Sequence, residues 1–324
     1  MRRAFFIVGP TATGKSELGA DVAQKLGAEI ISADAFQIYS GLDLLTAKPD
    51  PSTLTKVPHH LISTTPLHEE MNAEKFRRAA LRAIEEINSR SRLAIVVGGS
   101  GLYIKALTHG LAPLPRSDPK LREKLNAMSL DKLRLQLIEL DPETVRNIDV
   151  KNRLRLVRAL EICLLTGKPA SAQREQWDRE ADNPVCPPAT RAAIRPSQTG
   201  LSASRGAGVF VFRDREELYE RINQRVEAMF ARGVVEEVRA SGVTSATASQ
   251  MIGLREICQL LEGKMSLLQC IAQIQQATRR YAKRQLTWFR RQTNFLPLNL
   301  SILTHCEAVK GVLLQAQRSA RDSG

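Results

Sequence analysis

The run Gly9-Pro10-Thr11-Ala12-Thr13-Gly14-Lys15-Ser16 has the spacing G-x-x-x-x-G-K-[ST] of a phosphate-binding loop. Such a loop turns backbone N–H groups inward around phosphate oxygens. Lys15 adds a point charge, Ser16 offers a hydroxyl to Mg²⁺, and the helix that follows adds its N-terminal dipole. The motif establishes phosphate binding; nucleotide hydrolysis needs more.

Loops that hydrolyse nucleotides usually stand beside an apolar strand ending in Asp, which helps to hold the metal. Here the apolar stretch 93–97 runs into Gly98-Gly99-Ser100-Gly101 with no carboxylate. The carboxylate follows a different stretch, 29–32, at Asp34. At the carboxyl edge of a parallel sheet it falls beside the phosphate loop, where open α/β sheets bind ligands. A metal ligand, a general base and a turn cap are all open uses for it there.

A third group of residues is basic. No acid occurs between Glu262 and Glu307, while Lys264, Arg279, Arg280, Lys283, Arg284, Arg290 and Arg291 fall inside. On a helix, Arg280, Arg284, Thr287 and Arg291 share one face, with Tyr281 and Trp288 among them. One-sided charge with aromatics is the footprint of a nucleic-acid surface. Lys151, Arg155 and Arg158 form a second stripe, opposite Leu156, Leu160, Cys163 and Leu164. Arg221 and Arg225 lie four apart, so one helix face can aim both into a site. Over the chain, 47 Lys and Arg against 34 Asp and Glu give a formal charge of +13, which suits a polyanionic partner.

The five cysteines (Cys163, Cys186, Cys258, Cys270, Cys306) form no C-x-x-C pair. That argues against a disulfide framework or a zinc finger, and for a reduced, cytoplasmic setting. His59 and His60 are adjacent and the other histidines isolated, so no histidine reads as a metal ligand. No apolar run approaches a membrane span, and the first one stops at Gly9-Pro10, too soon for a signal peptide. No internal repeat is present.

These residues need a scaffold. Stretches 4–8, 29–32 and 92–97 are short and apolar, the pattern of parallel strands buried on both faces. Helical patterns at 16–26 and 73–88 separate them, which predicts an α/β fold: a P-loop-containing parallel sheet flanked by helices. Near Pro113 the texture changes, and helices are expected at 120–126, 130–140 and 151–165, the last stopped by Gly167 and Pro169. A Pro-, Ser- and Gly-rich stretch, 184–208, reads as a loop. A strand at 209–212 and helices at 215–232, 248–262 and 266–293 follow. The 324 residues thus divide into a catalytic core (1–112 and 209–300), an inserted all-helical domain (113–208) and a loosely attached C-terminal tail (301–324).

Together the pieces resemble the tRNA dimethylallyltransferases, also called tRNA isopentenyltransferases. The resemblance is carried by the loop 9–16; by Asp34-Ala35-Phe36-Gln37-Ile-Tyr39-Ser-Gly41-Leu-Asp43; and by Thr46-Ala-Lys48-Pro49 and Pro58-His59-His60-Leu61. It continues through Val97-Gly-Gly-Ser-Gly-Leu-Tyr103, Arg155-Leu-Val-Arg158-Ala-Leu-Glu161, Arg221-Ile-Asn-Gln-Arg225 and Lys283-Arg-Gln-Leu-Thr-Trp-Phe-Arg290. The matches run in family order from about residue 5 to 291, far beyond a lone phosphate loop.

The resemblance implies transfer of a dimethylallyl group from dimethylallyl diphosphate to the exocyclic amine of the adenosine just 3′ of the anticodon. The loop would then hold an allylic diphosphate, with Mg²⁺ as cofactor bridging Ser16 and the phosphates. Asp34 matches the family's proposed base, and Ser100 and Arg225 match positions at the reacting centre. The tRNA anticodon stem-loop would meet Asp34 to Gln37, Ser100, Arg122, and the segment Leu154, Arg155, Leu156, Val157, Arg158. It would also meet Gln250, Met251, Ile252, Gly253, Leu254 and Arg255, then Lys283, Arg284, Gln285, Leu286, Thr287, Trp288, Phe289 and Arg290. The inserted unit would close over the stem-loop. A monomer with no membrane contact is expected.

Four positions depart from the family's usual pattern. Ala35 replaces a common Ser, Leu45 a Gly, Ser100 a Thr and Leu254 a Tyr; Asp34, Lys15 and Arg225 are intact. A small-molecule kinase would share the loop and Asp34 but leaves the acid-free helix unexplained. A free-nucleotide prenylating relative has less use for the inserted helices, and a non-enzymatic RNA-binding module has none for the loop beside a carboxylate.

Overall fold

The computed structural model describes residues 4–111, 114–173 and 208–321. Its contacts divide the chain into two compact units, one of residues 1–108 with 201–324 and one of 109–200. The expected loop at 184–208 lies outside the described residues, apart from Gly208.

The first unit is built on β1 (Ala4–Val8), β2 (Glu29–Ser32), β3 (His59–His60), β4 (Ala94–Gly98), β5 (Gly208–Phe212) and β6 (Leu296–Asn299). They form one sheet in the order β3-β2-β4-β1-β5-β6, with every pair parallel. Side chains of a strand alternate between faces, and β1 shows it. Phe6 and Val8 join a layer with Ile38, Phe76, Tyr103 and Phe210, while Phe5 and Ile7 join one with Leu18, Val22, Val309 and Val312. Apolar on both faces, β1 can exist only between two layers of helix.

The helices of this unit are α1 (Lys15–Leu26), α2 (Pro51–Leu54), α3 (Ala73–Ser89) and α4 (Gly101–Thr108). Asn72 caps α3, its side chain accepting the Glu74 and Lys75 N–H groups. The second unit holds α5 (Pro119–Ala127), α6 (Leu130–Leu140), α7 (Pro142–Asn147) and α8 (Arg153–Thr166). It has its own core around Leu133, Leu137, Leu156 and Leu160. Leu164, expected on the apolar side of α8, is exposed instead.

After β5 come α9 (Arg215–Ala231), α10 (Val234–Ala240), α11 (Leu254–Leu261) and α12 (Leu267–Phe289). The expected helix over 248–262 is really a 3-10 turn, Ala248–Gln250, and α11, separated at Gly253, whose φ is 98°. The expected loose tail is wrong. Residues 296–299 pair with β5, and α13 (His305–Arg321) buries Ala308, Val309, Val312 and Ala316 in the layer that also holds α1. The core therefore extends past residue 300, and the tail is a structural helix.

Candidate active site

The loops after β1, β2 and β4 meet at the carboxyl edge of the sheet. The loop after β1 contains Ala12 in the left-handed region, φ 66°, a conformation costly for a residue with a Cβ. Gly14 caps α1 without any side-chain hydrogen bond, so the first-turn N–H groups stay available to an anion. The loop is held by its oxygens. Arg213 Nε donates to the Thr13 carbonyl at 2.9 Å, Arg221 Nε to the Ala12 carbonyl at 2.9 Å, and an Arg225 terminal nitrogen to the Thr11 hydroxyl at 2.9 Å. Thr13 donates to the Pro10 carbonyl at 3.0 Å, and Lys15 Nζ rests on the same oxygen at 3.1 Å. With the Pro10, Ala12 and Thr13 carbonyls taken, and the Gly9 and Thr11 N–H groups already bonded, the amides at the start of α1 are the ones left for a ligand.

This leaves positive charge crowded around one loop. Burial pushes the Lys15 ammonium down to about 8; Asp34 partly opposes the shift and Arg225 adds to it. Burial likewise holds Arg225 below its ordinary value, with Arg221 acting in the same direction. Arg225 Nε is buried with no hydrogen-bond partner. An orphaned guanidinium donor beside a desolvated ammonium is costly unless an anion completes it.

Asp34 stands across the cleft. Its Oδ1 accepts the Phe36 N–H at 2.9 Å and the Gln37 N–H at 3.3 Å, a local turn that fixes the carboxyl group. Capping and chemistry therefore coexist: one oxygen orients the group and the other remains for a ligand. Ser100 is 8% exposed and its hydroxyl accepts the Ala35 N–H at 2.9 Å, so it braces the Asp34 turn from β4. Gln37 donates to the Ala47 carbonyl at 2.9 Å, which ties the 46–47 loop to the site. Thr11, Gly14, Lys15, Ser16, Asp34, Gln37, Lys48 and Arg225 line one cavity of about 630 Å³. A small recess of about 60 Å³, polar along Thr11, Asp34 and Arg225, has an apolar wall that includes Phe36, Met229, Met251 and Ile274, with Tyr281 beside them.

The other predicted residues divide by burial. On α12 and just past its end, Arg280, Lys283, Arg284, Thr287, Arg290 and Arg291 are exposed, and none of the five cations is paired with a carboxylate among the described residues. Gln285 and Phe289 are 6% and 0% exposed, which takes them off that surface. Leu286 packs against the core. Trp288 does too, lying flat on Gly101, where an added Cβ would come within 2.8 Å of its ring. Gln250, Ile252 and Arg255 are at least partly exposed, but Met251, Gly253 and Leu254 are buried. In the second unit Leu154 and Arg155 are exposed, whereas Leu156 and Val157, at 0% and 3%, belong to its core. These packed side chains hold the helices that carry their exposed neighbours.

Arg122 and Arg158 are engaged as well. Both bond Glu161, which is fully buried and also accepts the Ser117 hydroxyl at 2.6 Å and the Asp118 N–H at 2.9 Å. Burial alone would raise the Glu161 carboxyl, but these donors outweigh it and hold the group low. The sequence gives Glu161 no role beyond its motif, places Tyr281 on the basic helix face although it lines the recess, and offers no sign of Glu237. Glu237, on α10, accepts the Leu44 and Leu45 N–H groups at 2.8 and 2.9 Å and so fixes the loop that borders the cavity. An acid on a helix carries no local signal for such a role.

Fold and site together define a class: an α/β P-loop protein whose cationic cradle faces a carboxylate from another strand rather than a hydrolytic metal site. The model of the IPP transferase family matches residues 37–292. The tRNA dimethylallyltransferase of Akkermansia muciniphila is 41% identical over 89% of this chain and 90% of its own length. That of Geobacter sulfurreducens is 42% identical over 88% of each chain. The crystal structure of the full-length tRNA isopentenylpyrophosphate transferase of Bacillus halodurans superposes with a TM-score of 0.67 at 29% identity, covering 100% of this chain and 99% of that one. The chain belongs to the IPP transferase family. The family match begins at Gln37, so the phosphate loop stands on its own motif and geometry.

Proposed function

We infer that this protein transfers a dimethylallyl group from dimethylallyl diphosphate to the N6 amine of the adenosine 3′ of the anticodon in tRNA, releasing diphosphate. The observation that carries this reading is the shared cavity, with Lys15, Ser16 and Arg225 on one side and Asp34 on the other. The curated relatives' name, tRNA dimethylallyltransferase, agrees with it.

The chain's residues then take distinct roles. The adenine amine is a poor nucleophile because its lone pair is delocalised into the ring. Asp34, its Oδ1 occupied by backbone N–H groups, takes the amine proton through the other oxygen. As that proton leaves, the new C–N bond forms at the allylic carbon and its bond to the diphosphate oxygen breaks. Charge grows on the departing diphosphate, where Lys15, Arg225 and the loop amides meet it. Ser16, lining the cavity at the start of α1, is the residue that would hold Mg²⁺. Bound there, the ion would neutralise part of that charge. The recess beside Asp34 and Arg225 offers its apolar wall to the isoprenoid chain.

The base must leave the anticodon stack to enter this cavity, as in other base-modifying enzymes. The exposed cations of α12, without a carboxylate partner among the described residues, provide phosphate contacts that offset the cost. The deciding experiment incubates the full chain with unmodified tRNA and labelled dimethylallyl diphosphate, followed by nucleoside analysis. Labelled N6-(dimethylallyl)adenosine is expected. Label remaining in the donor, or turnover of ATP with tRNA untouched, would remove this reading in favour of a kinase. Asp34→Asn keeps the turn-capping oxygen and loses the base, so its turnover should fall at least about 10²-fold. A rate near wild type would take Asp34 out of that role.

A further inference from the structure

Helix α12 does more than present cations. One residue on it, Gln285, reaches inward between two loops of the site. Its Oε1 accepts the Thr11 N–H at 2.9 Å and its Nε2 donates to the Gly99 carbonyl at 2.8 Å. The side chain is 6% exposed. The fit leaves no slack: a Cβ built on Gly99 would lie 2.4 Å from Gln285 Nε2. Each partner leads directly to a working group. Thr11 receives Arg225 on its hydroxyl, at 2.9 Å, and lines the cavity. Gly99 precedes Ser100, whose hydroxyl holds the Ala35 N–H at 2.9 Å, next to Asp34.

We propose that Gln285 is a positioning residue: its amide sets the separation between the phosphate loop and the β4–α4 loop, and so between the leaving-group cradle and the Asp34 turn. This rests on the reading above and adds to it. A side-chain amide suits the task because it carries a donor and an acceptor on one planar group. Glutamate would keep the acceptor for Thr11 and lose the donor for Gly99. An apolar side chain would leave a buried N–H and a buried C=O unpaired. Its neighbours Lys283, Arg284 and Thr287 face outward, so one short stretch of helix carries an outward cationic surface and an inward ruler. Misplacement of reacting groups by about 1 Å can cost on the order of 10²-fold in rate.

The test compares the wild-type chain with Gln285→Met, Gln285→Glu and Gly99→Ala, the last attacking the same contact from the other side while also pressing on the Gly9 carbonyl at 2.9 Å, so the Gln285 variants carry the decision. Turnover at saturating dimethylallyl diphosphate and tRNA is measured well below each variant's melting temperature, with tRNA affinity measured separately by fluorescence anisotropy. For Gln285→Met and Gly99→Ala, kcat should fall about 10²-fold while the tRNA dissociation constant stays within about twofold. Gln285→Glu keeps the Thr11 bond but sets a carboxylate oxygen against the Gly99 carbonyl in place of the donor, so its kcat should fall at least as far. Unchanged kcat in the folded variants would overturn the proposal. Weakened tRNA binding with normal kcat at saturation would do so too, and would make Gln285 an RNA contact. Should Gln285→Met fail to fold, Gln285→Glu decides by the same criterion. A wild-type chain that forms no modified adenosine would indict the functional reading, not the role of Gln285.

Discussion

The Lys15 ammonium lies on the carbonyl of Pro10, with Asp34 and Arg225 as its nearest electrostatic influences. Burial lowers it from 10.5 to about 8, so between those values the unfolded chain binds a proton that the folded chain releases. Stability therefore rises with pH through that window, because the charged ammonium is what folding disfavours. Lys15→Met removes this dependence. Thermal melts of wild type and variant should differ less at pH 10 than at pH 7, with the variant the more stable at pH 7. The same substitution should weaken binding of Mg²⁺-pyrophosphate at least about tenfold, since one charge-assisted contact at a desolvated site is lost. Equal melts across the range would show that the ammonium is solvated in the folded chain. Strain at Ala12 and the orphaned Arg225 Nε fit the same picture, a loop shaped for its ligand at some cost to the fold.

Among the elements, α8 depends on one buried carboxylate. Glu161→Ala would leave Ser117, Asp118 N–H, Arg122 and Arg158 without their common acceptor. The two arginines keep partial access to water, at 39% and 30% exposed, which moderates the loss to roughly 2–4 kcal/mol. Hydrogen exchange should show α5 and α8 losing protection while β1 and β4 keep theirs; uniform loss would contradict an effect local to the helical unit. A second expectation concerns α13. Val312→Asp puts a charge at a fully buried position and should leave the chain largely insoluble or unfolded, whereas the same change at exposed Leu314 should be tolerated. Elements differed in how far the sequence disclosed them. The strands β1, β2, β4 and β5 were legible because each is apolar on both faces and bounded by turn residues. β6 was not: it contains Pro297 and half-exposed Leu296, acceptable only at a sheet edge. α4 was hidden by a short, mostly apolar sequence in which Lys105 and Thr108 are too few to set a period, and α13 by an apolar stripe of small residues. In the site, the phosphate loop, Asp34 and the Arg221–Arg225 pair are local in sequence and could be read directly. The tie between Thr11 and Gln285 joins residues 274 apart and exists only through packing.

At the scale of the whole molecule, the surplus of 13 positive charges makes association with tRNA a matter of counterion release. Each cation that meets a phosphate steepens the fall of affinity with salt, by about 0.7 to 0.9 in the logarithmic slope per contact. Lys283 and Arg284 are exposed on α12 and have no carboxylate partner among the described residues, so their charge is free for such a contact. Replacing either by Ala should weaken tRNA binding across sequences and flatten the slope by about one. Arg158→Ala should behave differently, because part of that charge is committed to Glu161 at 2.6 Å. Its slope should change by less than that of Arg284→Ala, while protection of α8 falls. The measurement is fluorescence anisotropy with labelled tRNA over a salt series, at fixed pH and Mg²⁺. If Arg284→Ala leaves the slope untouched, α12 does not face the phosphates, and the charge surplus must act through other surfaces. If the slope flattens but base modification at saturating tRNA is unchanged, the cations serve capture alone, and the chemistry depends on the buried groups behind them.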